Sequence, residues 1–155
     1  MPEIGRRLYH EAMVRMIDEV GYQTRALSPC KFLVEKGARR LYIDVAGKNL
    51  PYLGHRGEEV FPWETALHPD RLDRIDAEAA THDAEGWIAL CYAILSESYL
   101  SSFSTIVTVD GTQFGARLLT VGKYRDRMKP RSPSWAVVDL PREDMPEITH
   151  LLEEV

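Results

Sequence analysis

The chain has 155 residues, 45% of them hydrophobic, and a formal net charge of −5 at neutral pH. That content can bury the core of one domain spanning residues 1–155, and no segment approaches the roughly 18 consecutive apolar residues of a membrane span. The acidic balance excludes a generally sticky nucleic-acid binder but leaves room for a local basic patch, and the start Met1-Pro-Glu-Ile-Gly-Arg-Arg7 lacks the apolar core of a secretory signal, so a cytoplasmic location is the expectation.

Taken in chain order, the first expected element is a helix from Gly5 to Val20. Tyr9, Ala12, Met13, Met16, Ile17 and Val20 recur at helical spacing, and Gly21-Tyr22 ends it. His10 falls at the edge of this apolar face, whereas Glu11 projects to the solvent side. Phe32-Leu-Val-Glu35 and Leu41-Tyr-Ile-Asp-Val45 then read as a β-hairpin whose turn Gly37 supplies. Asp44 lies near the end of the second strand, with Ala46 and Lys48 beyond it. Strand alternation puts all three on one face only if the strand continues that far, and Gly47 predicts a bend.

Residues 49–69 form a connection punctuated by Gly and Pro, with Tyr52, Phe61 and Trp63 along it. Its His55, His68, Glu58, Glu59 and Glu64 are ordinary loop residues rather than a dedicated metal cluster. Pro69 to Ala84 reads as a helix with an acidic outer face. Gly86 to Leu95 is a nearly continuous apolar run, suited to a central strand covered on both sides. Phe103 to Val109 and Thr112 to Val121 flank Asp110-Gly111, a hairpin signal. Gly122 to Arg131 reads as a basic loop, Trp135 to Leu140 as a further strand, and Asp144 with Pro146 and Glu147 as the capped start of a closing helix. Cys30 and Cys91 lie in apolar surroundings without paired metal-ligand spacing, as reduced core thiols do. No Gly-rich phosphate loop, H-E-x-x-H or nucleophile elbow is present.

The opening helix, its Gly-aromatic exit and the hairpin together resemble the PD-(D/E)XK nuclease superfamily. The resemblance implies a restriction-endonuclease-like α/β domain, with a central mixed β-sheet flanked by helices. In that family two acids on the hairpin hold a divalent cation, and a lysine two residues past the second acid sits beside the attacking water. Hard cations such as magnesium take carboxylate oxygens, and an ammonium nearby balances charge in the transition state. Asp44 falls on the second acid. Lys31, or Cys30 if the strand starts one residue earlier, takes the place of the first, and Ala46 takes the place of the lysine.

The resemblance therefore implies a nuclease-like domain with a degenerate metal site, serving as a nucleic-acid-associated or assembly subunit, and no cofactor is expected. The alternative is an active magnesium-dependent DNA endonuclease. Its catalytic residues would be Asp44 as metal ligand, Lys48 as a relocated lysine, and Glu11 or Glu35 as a relocated acid. The third reading is a protein-interaction module or homodimer that does not bind nucleic acid. The candidate DNA contacts are Lys123, Arg125, Arg127, Lys129 and Arg131, with Arg39 and Arg40 at the hairpin tip.

Overall fold

Alternation along a single strand sets the architecture. In the segment from Leu41 to Leu50, Leu41, Ile43 and Val45 enter one hydrophobic core, whereas Tyr42 and Leu50 enter another, with Ala46 packed against it. A strand that is apolar on both sides must be covered on both sides. The computed structural model describes residues 5–53, 56, 59–60, 64–132, 135–139 and 146–147.

The elements run α1 (Arg6–Glu19), β1 (Gln23–Ser28), β2 (Lys31–Lys36), β3 (Arg39–Leu50), β4 (Tyr52–Leu53), β5 (Glu59–Val60), β6 (Glu64–Leu67), α2 (Pro69–Thr81) and β7 (Glu85–Ile94). A short 3-10 turn (Glu97–Ser102), β8 (Val107–Val109), β9 (Thr112–Thr120), α3 (Val121–Arg127), β10 (Lys129–Ser132) and β11 (Trp135–Asp139) follow. Six strands form one mixed sheet in the order β1-β2-β3-β7-β9-β8. β3 and β7 pair in parallel from Leu41↔Glu85 to Leu50↔Ile94, and the other pairings in this sheet are antiparallel. β10, β11 and β6 make a separate three-stranded sheet, and β4 pairs with β5.

The expected α/β domain with a mixed sheet is observed, as are the hairpin, the helix packed on its sheet, and β7 as a central strand. α1 buries Tyr9, Ala12, Met13, Met16 and Ile17 against one face. It stops at Gly21, whose φ of +80° suits a residue without a Cβ. α2 starts at His68, whose side chain accepts the Asp70 N–H at 3.1 Å, and Pro69 occupies the position where a missing N–H costs nothing. Its Leu72, Ile75 and Ala79 cover the opposite face.

Several boundaries differ from expectation. β3 does not bend at Gly47 but continues to Leu50, because the missing side chain admits the Tyr9 ring: a Cβ there would lie 2.6 Å from Tyr9 Cε2. The basic segment after Gly122 is not a loop. Thr120 accepts the Lys123 N–H at 3.0 Å and fully buried Tyr124 anchors the helix, so α3 forms before β10 begins. The expected strand from Phe103 shrinks to Val107–Val109, since Phe103 turns inward over Gly115. α2 ends at Thr81, three residues early, as the chain turns through Asp83 at φ +53°. β1 was not anticipated, and within the 49–69 connection short strands form. Of the expected closing helix, only Pro146 and Glu147 are among the described residues.

Gly47→Ala tests the close approach. Overpacking of this kind costs about 1–3 kcal/mol, read by urea denaturation, and the cost should largely vanish in a Tyr9→Ala background. An equal loss in both backgrounds would show that the ring is not what the glycine admits.

Candidate active site

The hairpin register sets Lys31 directly across from Asp44. Both therefore project from the same face of the sheet, the one that α2 covers. Asp44 is only 6% exposed, and a carboxylate so enclosed needs partners. Arg71, in the first turn of α2, supplies them: its Nε lies 3.3 Å from Asp44 Oδ2 and one terminal nitrogen 2.9 Å from Oδ1. That same nitrogen donates to the Val45 carbonyl at 3.1 Å. The fork-on-carboxylate geometry is the strongest form of ion pair a side chain offers.

Two helical turns further along α2, Glu78 carries the network on. Its carboxylate lies 3.7 Å from Lys31 Nζ and accepts a hydrogen bond from the Tyr42 hydroxyl. Burial raises the Tyr42 phenol well above its usual range, and the bond to Glu78 raises it further, so the hydroxyl stays protonated and donating. Asp44–Arg71 and Lys31–Glu78 are thus two rungs of opposite charge order that join the hairpin to α2.

The residues expected from sequence are distributed unevenly around this network. Because β3 is continuous, Ala46 shares the face of Asp44, and Lys48 stands at the next position of that alternation. Glu35 is drawn to the hairpin tip, 3.5 Å from Arg40. Glu11 lies on α1, on the other side of the sheet, where it meets Arg7 at 3.1 Å; Arg7 also reaches Asp110 at 2.8 Å. The structure does not bring Glu11 to Asp44. His10 packs on Phe32 with ring centroids 4.7 Å apart, and its Nδ1 accepts the Cys30 N–H at 3.0 Å. Both cysteines are free and buried, and burial pushes the Cys30 thiol up, which keeps it neutral. Arg71, Glu78 and Tyr42 were not anticipated. The one sequence signal for the helix residues is their spacing, which borders the Leu72, Ile75 and Ala79 stripe.

Three of the candidate basic residues are engaged with acids. Arg39 pairs with Glu85 at 3.0 Å above the Trp87 ring, and Arg40 also donates to the His82 carbonyl at 2.9 Å. Arg125 lies 2.7 Å from Asp73 and also binds Asp76, fastening α3 to the acidic face of α2. Lys123 and Arg127 lie on α3, Arg127 in its last turn and exposed, and Lys129 and Arg131 lie in β10.

No family model and no curated protein matches the chain. Among solved structures it is similar to Hjc, a Holliday junction resolvase from the archaeal hyperthermophile Archaeoglobus fulgidus, with a TM-score of 0.57 over 96% of this chain and 95% of that one. The fold is that of the PD-(D/E)XK nucleases. At 15% identity the likeness is one of fold.

A divalent cation, which family enzymes hold on the hairpin acids, does not fit the donor set found here. Both Asp44 oxygens are taken by a guanidinium, the place of the first acid holds a neutral thiol or an ammonium, and Ala46 brings no charge. Among the described residues no group of three or more His, Cys, Asp or Glu converges as a metal site. No described helix is long and apolar enough to cross a membrane.

Arg71→Met measures how far Asp44 depends on its partner. Stranding a buried charge costs about 3–5 kcal/mol, and the 28% exposure of the Arg71 side chain lowers the expectation to about 2–3 kcal/mol by urea denaturation. Asp44→Asn in the same chain should recover part of that loss. A cost under about 0.5 kcal/mol would mean that water already solvates the carboxylate.

Proposed function

We propose that this domain keeps the nuclease scaffold without metal-dependent cleavage and acts as a nucleic-acid-associated assembly subunit. The observation that supports this reading best is the Arg71 fork on Asp44. A cation held in place by α2 neutralises the carboxylate that a metal would need, and Lys31 opposes a second positive charge from across the hairpin. Displacing Arg71 would give magnesium a single carboxylate, a poor site for an ion that demands near-octahedral oxygen ligation.

In this reading DNA is held by phosphate contacts from Lys123, Arg127, Lys129 and Arg131, while Arg125 holds α3 against α2. A second reading, a protein-binding module, draws support from the pairing of Arg39, Arg40 and Arg125 with acids and from the net charge of −5, which leave fewer uncompensated cations for phosphate.

Three measurements test these readings. Isothermal titration with manganese should give no binding that depends on Asp44, and branched or duplex DNA should survive incubation with magnesium. Manganese binding that disappears in Asp44→Asn would overturn the non-catalytic reading. Fluorescence anisotropy on DNA at several salt concentrations should show salt-dependent binding, and Arg127→Glu with Arg131→Glu should lower the log–log salt slope by about one unit for each lost phosphate contact. No salt-dependent binding in the unmodified protein would favour the protein-partner reading instead.

A further inference from the structure

Glu147 is one of the few buried charged residues described, 2% exposed, and it belongs to none of the interactions around Asp44. Both of its carboxylate oxygens lie 3.0 Å from the Ser104 N–H, and one lies 3.0 Å from the Thr105 N–H. An ionised carboxylate bound to two successive backbone N–H groups forms strong, charge-assisted bonds, and it satisfies donors that lie between the 3-10 turn and β8. The preceding residue makes a second attachment: the Pro146 carbonyl accepts the Leu118 N–H at 2.8 Å. β8 pairs with β9 only over Thr112–Phe114, so the Pro146 contact covers the outer edge of β9 beyond the end of its neighbour.

What the carboxylate holds down is the segment around Phe103. This ring is 6% exposed and lies so close to Gly115 that a Cβ there would be 2.4 Å from Phe103 Cγ. Its centroid is 5.7 Å from that of Tyr92, and the Arg117 guanidinium lies 5.4 Å from it. Arg117 also donates to the Ser102 carbonyl. The residues on either side of Phe103 are thus gripped by opposite charges, Ser102 by a guanidinium and Ser104 by a carboxylate.

We propose that Pro146–Glu147 is a strap whose latch is the Glu147 carboxylate, seating Phe103 in the α2-side core and covering the edge of β9 at Leu118. This inference is independent of the functional reading above. With the latch released, Ser104 and Thr105 lose the carboxylate that holds them, and Phe103 lifts more readily from Gly115. The strap then also leaves the β9 edge, because Pro146 and Glu147 are adjacent and move together. Local opening of this kind draws on a small part of the fold, since β7 and its two neighbouring strands remain paired.

Amide hydrogen exchange followed by NMR on the full chain tests the strap. In Glu147→Ala, exchange at Ser104, Thr105 and Leu118 should rise about tenfold or more, while Ala89 and Cys91 in β7 keep their protection. Glu147→Gln, which retains an acceptor without the charge, should fall between the two. If the alanine form does not fold, Glu147→Asp, with the carboxylate drawn back by one methylene, is read in the same way. Unchanged exchange at Leu118 would refute the coupling between latch and edge. A uniform rise that includes Ala89 and Cys91 would also overturn the proposal, because Glu147 would then support the whole fold rather than one strap.

Discussion

The parallel register between β3 and β7 is the constraint on which the rest of the structure depends. Parallel neighbours cannot be joined by a tight turn, so the chain between them must leave the sheet and return, and α2 is the helix of that crossover. Its return path lays α2 over the even-numbered face of β3. Asp44 is on that face, and so this acid ends beneath the first turn of a helix. Which partner meets its carboxylate is decided by what α2 presents there. Here α2 presents Arg71.

This arrangement joins the hairpin to α2 through charge. A carboxylate in a protein interior is costly unless it is paired and hydrogen-bonded, and an arginine fork satisfies both oxygens at once. With Lys31 and Glu78 forming a second pair of reversed order, the hairpin and α2 are joined by complementary charges, and apolar packing continues beyond them through Leu72, Ile75 and Ala79. The benefit over an apolar contact is orientation. A hydrophobic stripe tolerates sliding, whereas two crossed ion pairs accept one register of helix on strand. The guanidinium keeps partial access to solvent, which lowers its desolvation cost relative to a wholly buried pair.

Much of the fold was legible in the sequence because its signals are local. Period-2 alternation, Gly37 and the Asp110-Gly111 turn mark the β2–β3 and β8–β9 hairpins, and the apolar run from Trp87 to Ile94 marks a strand covered on two sides. Asp44 and the departures at Lys31 and Ala46 were legible for the same reason. Arg71 was not, since nothing near it in sequence says that it faces Asp44, 27 residues away; that contact exists only once the crossover is built. β3 was read too short because Gly47 looks like a break until Tyr9 is placed over it. α3 was read as a loop because its basic residues drew attention from Thr120, which caps it, and Tyr124, which buries it.

The same long-range contacts decide which acids the cations meet. The run from Lys123 to Arg127 looks like a phosphate-binding strip when read along the chain, yet it folds as a helix that aims Arg125 at Asp73 and Asp76. Arg39 and Arg40 are likewise adjacent in sequence but project to opposite sides of β3, one toward Glu85 and Trp87 and the other toward Glu35 and the end of α2. Arg39, Arg40 and Arg125 thus meet different acids in space. The acidic face of α2, which taken alone would repel a phosphate backbone, has part of its charge compensated by α3. The electrostatic surface of this domain follows from how its helices face one another, and α2, with Arg71 on its inner side and Asp73 and Asp76 on its outer side, sets the charge balance on both.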